Sequence, residues 1–335
     1  PFWCSTPTGS RIRGRLAVAG SSESPVFGFF NDEHQLVPAA DCPLHHPLIT
    51  GSLNWLTLFI KAAKLEPYSP ENDRGELKFM VLTASPSTGK LMVQWVLRSR
   101  ESIDRIQGLW RRLSADERGS VTVMSAGIQP KRSSRISCET NYPISAEQSL
   151  EITYPEPGIS LFVAPGSFVQ SNYEVAGALY AAAAARLHQA RPRRILDLYC
   201  GSGGFSLLAA RTGAEVLGVD VSSASIDCAG RAAARLGLSA EFRACPAGAL
   251  QPTEIGERFD AVICNPPRAG LDPATTDLLH QLSPRVILYS SCNPTTLARD
   301  LQRLSSHYAP TWIRPFEMFP GTTHWEVLCQ ADFRG

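Results

Sequence analysis

The second half of the chain alternates short apolar segments with segments of helical periodicity. Apolar runs typical of β-strands occupy residues 195–199, 215–220, 240–244, 259–264 and 285–291. Between two of them, residues 222–236 begin with a serine and stop before Gly237, which are typical helix caps. The alternation predicts a parallel, doubly wound α/β sheet. Two further apolar runs, 311–319 and 324–330, are separated by a short turn and predict an antiparallel pair that closes this sheet.

The first part of the chain has a different pattern of apolar segments. Segments typical of β-strands occupy residues 15–30, 77–84, 91–98 and 121–129. Because they do not alternate with helical segments in a βαβ pattern, we expect a smaller, mostly antiparallel β (α+β) domain over residues 1–147. Residues 148–335 form the second domain. In it, residues 148–172 are predicted as a junction, and an alanine-rich helix over 173–190 leads into the first parallel strand.

Composition narrows the class of protein. Of the 335 residues, 44% are hydrophobic and 19% are charged, which excludes a disordered chain and a coiled coil. The apolar stretches are shorter than the roughly 20 residues that a membrane span needs. The first residues lack the apolar core of a signal peptide, and the nine cysteines are scattered, so we expect a cytoplasmic protein. The net charge of +1 neither demands nor excludes a nucleic-acid partner.

A glycine-rich turn follows the first parallel strand. Asp197 lies near the end of that strand, and Gly201 and Gly203 follow it. Such a turn lets the backbone approach a ligand at a helix N-terminus. A dinucleotide motif would have another glycine where this chain has Ser206, so an adenosyl ligand without a pyrophosphate is favoured. Asp220 ends the second strand, where its carboxylate can accept hydrogen bonds from both ribose hydroxyls.

This combination is the S-adenosylmethionine pattern of class I methyltransferases. The alternative is an unrelated nucleotide fold in which the two acids only cap surface elements. After the fourth strand, Asn265-Pro266-Pro267 forms a rigid turn that would present amide and carbonyl groups to a planar methyl acceptor. The alternative there is a proline-rich turn without chemical importance.

Cys292 follows the fifth strand and precedes a helical segment, where the helix dipole favours a thiolate. Beside a methyl donor, such a thiolate has a specific use. Its addition to carbon 6 of uracil makes carbon 5 nucleophilic, and a base must then remove the carbon 5 proton. Glu326, in the last β run, is the candidate base. The alternatives are a structural cysteine and an exposed strand carboxylate.

Five motifs in this order resemble the RNA uracil-C5-methyltransferases. They are SFVQSN (167–172), DLYCGSGGF, VICNPPRAG, YSSCNP and FPGTTHWEVL. The upstream segments DCPLHHPL, RGELKFMVLT, WVLRS and GIQP resemble the compact branch of this family, which lacks an RNA-binding TRAM domain and modifies 23S rRNA.

The resemblance implies functional residues and partners. It implies a cofactor and target-base site that contains Gln170, Tyr199, Asp220 and Asn265, together with Gly201 and Gly203 of the glycine-rich turn. Cys292 would be the nucleophile and Glu326 the base. At one site of this set, the family has a glutamate where this chain has Asp220, whose side chain is shorter. Residues 1–147 would be the RNA-substrate domain of a monomeric enzyme that acts on 23S rRNA.

The family also holds a [4Fe-4S] cluster on four cysteines of its N-terminal region. By the resemblance Cys42 is the last of these ligands, and the chain begins downstream of the other three. Because one thiolate cannot hold a cluster that needs four, we expect this chain to lack it.

Other functions remain open at the level of the sequence. They are methylation of a tRNA uridine, of a planar amide or amine, or of carbon 5 of cytosine, and RNA binding without catalysis. The cytosine enzymes usually have a Pro-Cys pair in the fourth-strand motif, whereas here Cys264 precedes Asn265.

Overall fold

The structure, a computed structural model, describes residues 6, 8–33, 35–131, 133, 138–256 and 258–335. It divides into two compact units. One comprises Thr8–Ile152 with Ala164–Gly166, and the other contains Thr153–Val163 and Ser167–Gly335. The expectation about a signal peptide rests on residues 1–13, of which residues 1–5 and 7 lie outside the described residues. Among the described helices, none combines the length and the apolar character that a membrane span requires.

The N-terminal unit is built on a seven-stranded sheet. Its elements are β1 (Arg13–Gly20), β2 (Pro25–Phe30), β3 (Leu36–Pro38), α1 (Pro47–Ala62), β4 (Leu77–Ser85), β5 (Lys90–Leu97), α2 (Ile103–Arg112), α3 (Ala115–Arg118), β6 (Val121–Ile128) and β7 (Thr140–Pro143). The strand order is β3-β2-β1-β4-β5-β6-β7. Neighbours are antiparallel except β5 and β6, which are parallel.

Three details of this unit differ from the sequence expectation. The parallel pair is connected through α2 and α3, so one βαβ unit is present where none was expected. The expected segment 15–30 is two strands, because Ser21 and Ser24 close a turn between β1 and β2. Helix α1 was not predicted. It begins after His46, whose ring nitrogen Nδ1 accepts a hydrogen bond from the Leu48 amide at 3.2 Å, and histidine is an uncommon cap.

A two-stranded sheet follows along the chain. Strands β8 (Leu150–Tyr154) and β9 (Ile159–Val163) pair with each other in the segment that was expected to be only a junction.

The C-terminal unit is the predicted doubly wound α/β fold. Its elements are α4 (Tyr173–Ala190), β10 (Arg194–Leu198), α5 (Gly204–Arg211), β11 (Glu215–Asp220), α6 (Ser223–Leu236), β12 (Ala240–Ala244), α7 (Pro252–Ile255), β13 (Ala261–Cys264), α8 (Pro273–Leu282), β14 (Val286–Ser291), α9 (Pro294–Leu304), β15 (Tyr308–Phe316) and β16 (Glu326–Phe333). The strand order is β12-β11-β10-β13-β14-β16-β15. The first five strands in this order are parallel, and β16 is antiparallel to both of its neighbours, so the predicted topology is confirmed.

The strand order of the C-terminal sheet indicates where a ligand would bind. From β10 the chain builds outward through β11 and β12 and then returns to β13, on the other side of β10. Ligands of such sheets bind beyond the carboxyl ends of the strands, where the order reverses. Strand side chains such as Leu196, Val262 and Ile287 are fully buried, which fixes the strands and therefore the positions of the residues that follow them.

Candidate active site

The glycine-rich turn connects β10 to α5. Tyr199, Gly201 and Gly203 all have positive φ angles, 62°, 53° and 85°. The next residue, Gly204, has no room for a side chain, because a Cβ there would lie 2.5 Å from the hydroxyl oxygen of Tyr180. Gly203 and Gly204 are buried against neighbouring helices, whereas Gly201 is half-buried and has nothing within 4 Å of the position of its Cβ. Gly201 is therefore the position of this turn at which backbone can closely approach a ligand.

Asp220 lies at the carboxyl end of β11 and is half-buried. Its carboxylate accepts hydrogen bonds from the backbone amides of Gly201, at 3.0 Å, and Ser222, at 2.9 Å. Each carboxylate oxygen has a further lone pair for a ribose hydroxyl. The next side chain, Val221, is apolar and 72% exposed, and sequence reasoning missed it. Its exposed surface is suited to packing against a flat base.

Asp197 is fully buried in β10 and binds α5. Its carboxylate accepts a hydrogen bond of 2.5 Å from the Ser206 hydroxyl. Burial raises the pKa of Asp197 to about 7, and the charge of Asp220 adds to the increase, whereas the bond from Ser206 opposes it. Ser206 thus has a role of its own in joining strand to helix, and the sequence showed only that it is not the third glycine of a dinucleotide motif.

Gln170 is buried in the loop that precedes α4. The start of this loop is attached to α6, because the hydroxyls of Ser167 and Ser225 lie 2.9 Å apart. Asn172 ends the loop and caps α4 through the amide of Val175. Phe168, which sequence reasoning did not single out, is 63% exposed in the same loop.

Tyr199 is held in place by a contact with α8. Its hydroxyl lies 3.0 Å from the hydroxyl of Thr275, a fully buried residue of α8. Burial raises the pKa of Tyr199 to about 12, so the phenol is neutral at physiological pH. The ring follows the end of β10 and is available as a wall of the crevice.

Asn265 follows β13 and is bonded to both neighbouring strands. Its backbone amide donates to the carbonyl of Leu198 at 3.3 Å, and its side-chain amide donates to the carbonyl of Ser290 at 3.3 Å. Asn265 also forms a side-chain hydrogen bond with Glu326. The turn residue that the sequence assigned to a planar substrate therefore contacts the candidate base.

Cys292 lies in the turn between β14 and α9, one residue before Asn293, which caps the helix through its side-chain oxygen. The thiol is half-buried. Burial raises its pKa and the carboxylate of Glu326 raises it further, whereas a hydrogen bond and the charge of Arg268 lower it. Burial and the adjacent acid therefore oppose the expected effect of the helix dipole, and the pKa of the thiol is raised. Arg268, which sequence reasoning missed, provides the opposing positive charge.

Glu326 is the first residue of β16 and is 2% exposed. The antiparallel register pairs Ser291 with Val327, and one further step along both strands brings Cys292 opposite Glu326. The Ser290 hydroxyl donates to the Glu326 carboxylate at 2.5 Å. Burial raises the pKa of Glu326 to about 7, against the lowering effect of the bonds from Ser290 and Asn265. A carboxylate with this pKa is well suited to accept a proton near neutral pH.

The expected iron-sulfur ligand does not belong to a metal site in this structure. Cys42 is half-buried between β3 and α1. Across the stretches that the structure describes, no group of three or more His, Cys, Asp or Glu side chains could hold a metal ion. The described residues therefore do not fit a cluster that needs four thiolates.

Comparison with known proteins places the chain in a family. The sequence profile of the tRNA (Uracil-5-)-methyltransferase family matches residues 131–237 and 254–330, and that of a methyltransferase domain matches 195–283. The 23S rRNA (uracil(747)-C(5))-methyltransferase RlmC of Shewanella amazonensis is 37% identical, with 96% of this chain and 83% of that protein covered. The RlmC of Proteus mirabilis is 36% identical, with 95% and 83% covered.

A solved structure shows the same architecture. The tRNA (uracil-54, C5)-methyltransferase of Pyrococcus abyssi, in complex with S-adenosyl-L-homocysteine, has a TM-score of 0.77 and 25% sequence identity. The match covers 98% of this chain and 78% of that one. Since one family profile matches more than half of the chain and relatives above 35% identity cover nearly all of it, the chain belongs to the RNA uracil-C5-methyltransferases, a family of S-adenosylmethionine-dependent enzymes.

Proposed function

We propose that this enzyme methylates carbon 5 of a uridine in 23S rRNA, and that the uridine corresponds to position 747, which its relatives from Shewanella amazonensis and Proteus mirabilis are named for. The observation that carries the chemistry is the β14–β16 register, which brings Cys292 opposite Glu326, with Asn265 bonded to the same carboxylate. A buried acid beside a thiol and a planar amide matches what a uracil ring needs for activation at carbon 6 and deprotonation at carbon 5.

The cofactor site is proposed at the other half of the sheet. Asp220 would bind the ribose, and the glycine-rich turn with Gln170 and Tyr199 would surround the rest of the ligand. When bound, S-adenosylmethionine supplies a methyl group on a positively charged sulfur.

The proposed reaction begins at Cys292. Its thiol gives its proton to solvent, and the resulting thiolate forms a bond to carbon 6 while the electron pair of the C5–C6 double bond moves toward carbon 5 and oxygen 4. Arg268 stabilises the thiolate needed for this step, since its charge lowers the thiol pKa. Carbon 5 is then nucleophilic enough to take the methyl group.

Glu326 completes the reaction. Its carboxylate takes the proton from carbon 5, the electron pair restores the C5–C6 double bond, and the sulfur of Cys292 leaves as thiolate. Asn265 holds the Glu326 carboxylate in position and offers its amide group to the edge of the base. Because the pKa of Glu326 is about 7, kcat should rise as the pH passes through 7 and the carboxylate ionises.

A transcript experiment tests the substrate. The purified enzyme should methylate a 23S rRNA fragment that contains uridine 747, and replacement of that uridine by cytidine should abolish transfer of labelled methyl groups. With 5-fluorouridine at this position, a protein–RNA adduct should persist on a denaturing gel, because fluorine cannot leave as a proton does. Cys138→Ala, which alters a half-buried cysteine of the N-terminal unit, is the control and should form the adduct normally.

A tRNA uridine is the second candidate. It is favoured by the match to the tRNA (Uracil-5-)-methyltransferase profile and by the TM-score of 0.77 to the Pyrococcus abyssi enzyme. The same assay with a tRNA transcript distinguishes the two. Methylation of tRNA but not of the 23S fragment would overturn the proposed substrate and leave the proposed chemistry intact.

A further inference from the structure

Helix α9 carries two arginines that hold the turn after β13. Arg299 donates to the carbonyl of Ala269 at 2.6 Å, and Arg303 donates to the carbonyl of Leu271 at 3.5 Å. Because they are four residues apart, both lie on one face of the helix. This face touches the turn that contains Arg268, the residue whose guanidinium reaches the thiol of Cys292. We call Arg268, Arg299 and Arg303 the arginine face.

One buried carboxylate holds two of these arginines. Asp300 is fully buried, and one of its oxygens contacts Arg299 at 2.8 Å and Arg303 at 3.5 Å. Its other oxygen accepts bonds from the Tyr289 hydroxyl and the Leu271 amide, both at 2.8 Å. Both carboxylate oxygens of Asp300 therefore have hydrogen-bond partners, and these contacts hold both guanidinium groups in a fixed orientation.

The arginine face has an excess of positive charge. The side chains of Arg299 and Arg303 are 42% and 43% exposed, and Arg268 is exposed. Within the part of the chain that the structure describes, Asp300 is the only carboxylate within ion-pair distance of these three guanidinium groups. Three positive charges thus face one buried negative charge, and one of the three, Arg268, is hydrogen-bonded to the proposed nucleophile.

We propose that Arg299 and Arg303 bind the phosphate groups of the RNA segment that flanks the target uridine. This inference rests on the proposed function and adds to it the surface that receives the RNA backbone. At 1.5 Å per residue, Arg299 and Arg303 lie about 8 Å and 14 Å along α9 from its first residue, which follows Cys292 by two positions. These distances are within reach of the phosphate groups that flank a nucleotide whose base reaches Cys292. Arg299 uses Nε and Nη2 on Asp300 and Ala269 and can donate to a phosphate from Nη1, whereas Arg303 can give two parallel hydrogen bonds from Nε and Nη2. The contacts with Asp300 reduce the entropy lost on binding.

The salt dependence of RNA binding tests the proposal. Each phosphate contact adds about 0.7 to 0.9 to the negative slope of the logarithm of affinity against the logarithm of salt concentration. Arg303→Gln should lower the magnitude of that slope by this amount for the 23S rRNA fragment and weaken binding about fivefold to tenfold at low salt. Arg303→Lys keeps the charge and should keep the slope. Affinity for S-adenosylmethionine should not change in either variant.

Arg243 provides a matched control. Its side chain is 41% exposed, close to the value for Arg303, but its charge is paired with Glu241 at 2.7 Å on the same strand. Arg243→Gln should therefore leave the slope unchanged. An Arg303→Gln variant that folds and binds RNA with the wild-type slope would overturn the proposal, and so would an equal loss of slope in Arg303→Lys. Failure of the proposed function has a different signature, since the wild-type enzyme would then neither methylate the fragment nor form the 5-fluorouridine adduct.

Discussion

Two buried acid–serine pairs lie in the two halves of the catalytic sheet. In the cofactor half, Asp197 accepts a bond of 2.5 Å from Ser206, and in the other half Glu326 accepts a bond of the same length from Ser290. Burial raises the pKa of both acids to about 7. Their local electrostatics are therefore nearly the same, and their different roles must come from their neighbours.

The neighbours differ in chemistry. Asp197 joins β10 to α5 and lies near Asp220 and near the buried thiols of Cys200 and Cys264. Burial raises the pKa of both thiols well above that of a free cysteine.

Glu326 lies opposite Cys292 and is bonded to Asn265. A perturbed pKa alone does not identify a catalytic acid or base. The second pair is distinguished by a thiol that is only half-buried, Cys292, and by the hydrogen bonds of Asn265 and Arg268.

The largest expected effect on activity is that of Cys292→Ala, which removes the thiol beside Glu326. Cys292→Ala leaves Glu326 as a buried acid without a nucleophile, so kcat should fall at least about a thousandfold because the activating addition to carbon 6 is lost. The variant should form no covalent RNA adduct on a denaturing gel. An adduct of normal yield would show that another residue is the nucleophile.

Glu326→Gln tests the proposed base that lies opposite Cys292. Addition and methylation should proceed, but elimination should be slow because the base is gone, so kcat should fall about a hundredfold to ten-thousandfold. A protein–RNA adduct that depends on S-adenosylmethionine should accumulate with unmodified uridine. Turnover at the wild-type rate would exclude Glu326 as the base.

Asp220→Ala tests the acid beside Asp197. The loss of charge-assisted hydrogen bonds to the ribose, about 1.5 to 3 kcal/mol each, should lower affinity for S-adenosylmethionine on the order of a hundredfold. Calorimetry on the folded variant measures this. Unchanged affinity would assign the ribose to a different residue.

Asp197→Asn and Glu326→Gln should have similar effects on stability and different effects on adduct formation. Because the folded-state pKa is raised to about 7, the folded protein holds a proton that the unfolded chain releases above about pH 4. Stability should therefore fall as the pH rises from about 4 to about 7, by on the order of a few kcal/mol for each such acid. Asp197→Asn should flatten the curve of unfolding free energy against pH and retain adduct formation, whereas Glu326→Gln should flatten the curve and trap the adduct. Denaturant melts over this pH range measure the effect, and a curve as steep as that of the wild type would contradict the assignment.

The smallest expected effect concerns Cys42, which lies in neither half of the catalytic sheet. The purified chain should contain no stoichiometric iron, and Cys42→Ser should leave its absorption spectrum unchanged. About four irons per chain after anaerobic purification would show that other ligands complete a cluster.

The sequence predicted those elements that have local signals. Helix α6 begins after Ser222 and ends before Gly237, as its caps indicated, and β11 and β12 have the predicted bounds. Helix α1 was missed because its cap is a histidine and its sequence contains Gly51 and several β-branched residues. The parallel pairing of β5 and β6 was missed because α2 and α3 between them are short.

The residues of the site could be named from motifs, but their arrangement could not. The burial of Glu326 and its position opposite Cys292 follow from a strand register between segments about 35 residues apart, which no local pattern specifies. The electrostatic role of Arg268 depends on the path of the turn after β13. The serine partners Ser206 and Ser290 have no distinctive sequence signal.

The position of β16 between β14 and β15 has a consequence for the order of events during synthesis. Strand β15 is made before β16 but pairs only with it, so this edge of the sheet cannot form until β16 has been made. A nascent chain that stops before Glu326 already contains the cofactor residues and Cys292, yet it lacks the proposed base. The proposed chemistry therefore depends on β16, which is made after every other strand of this sheet.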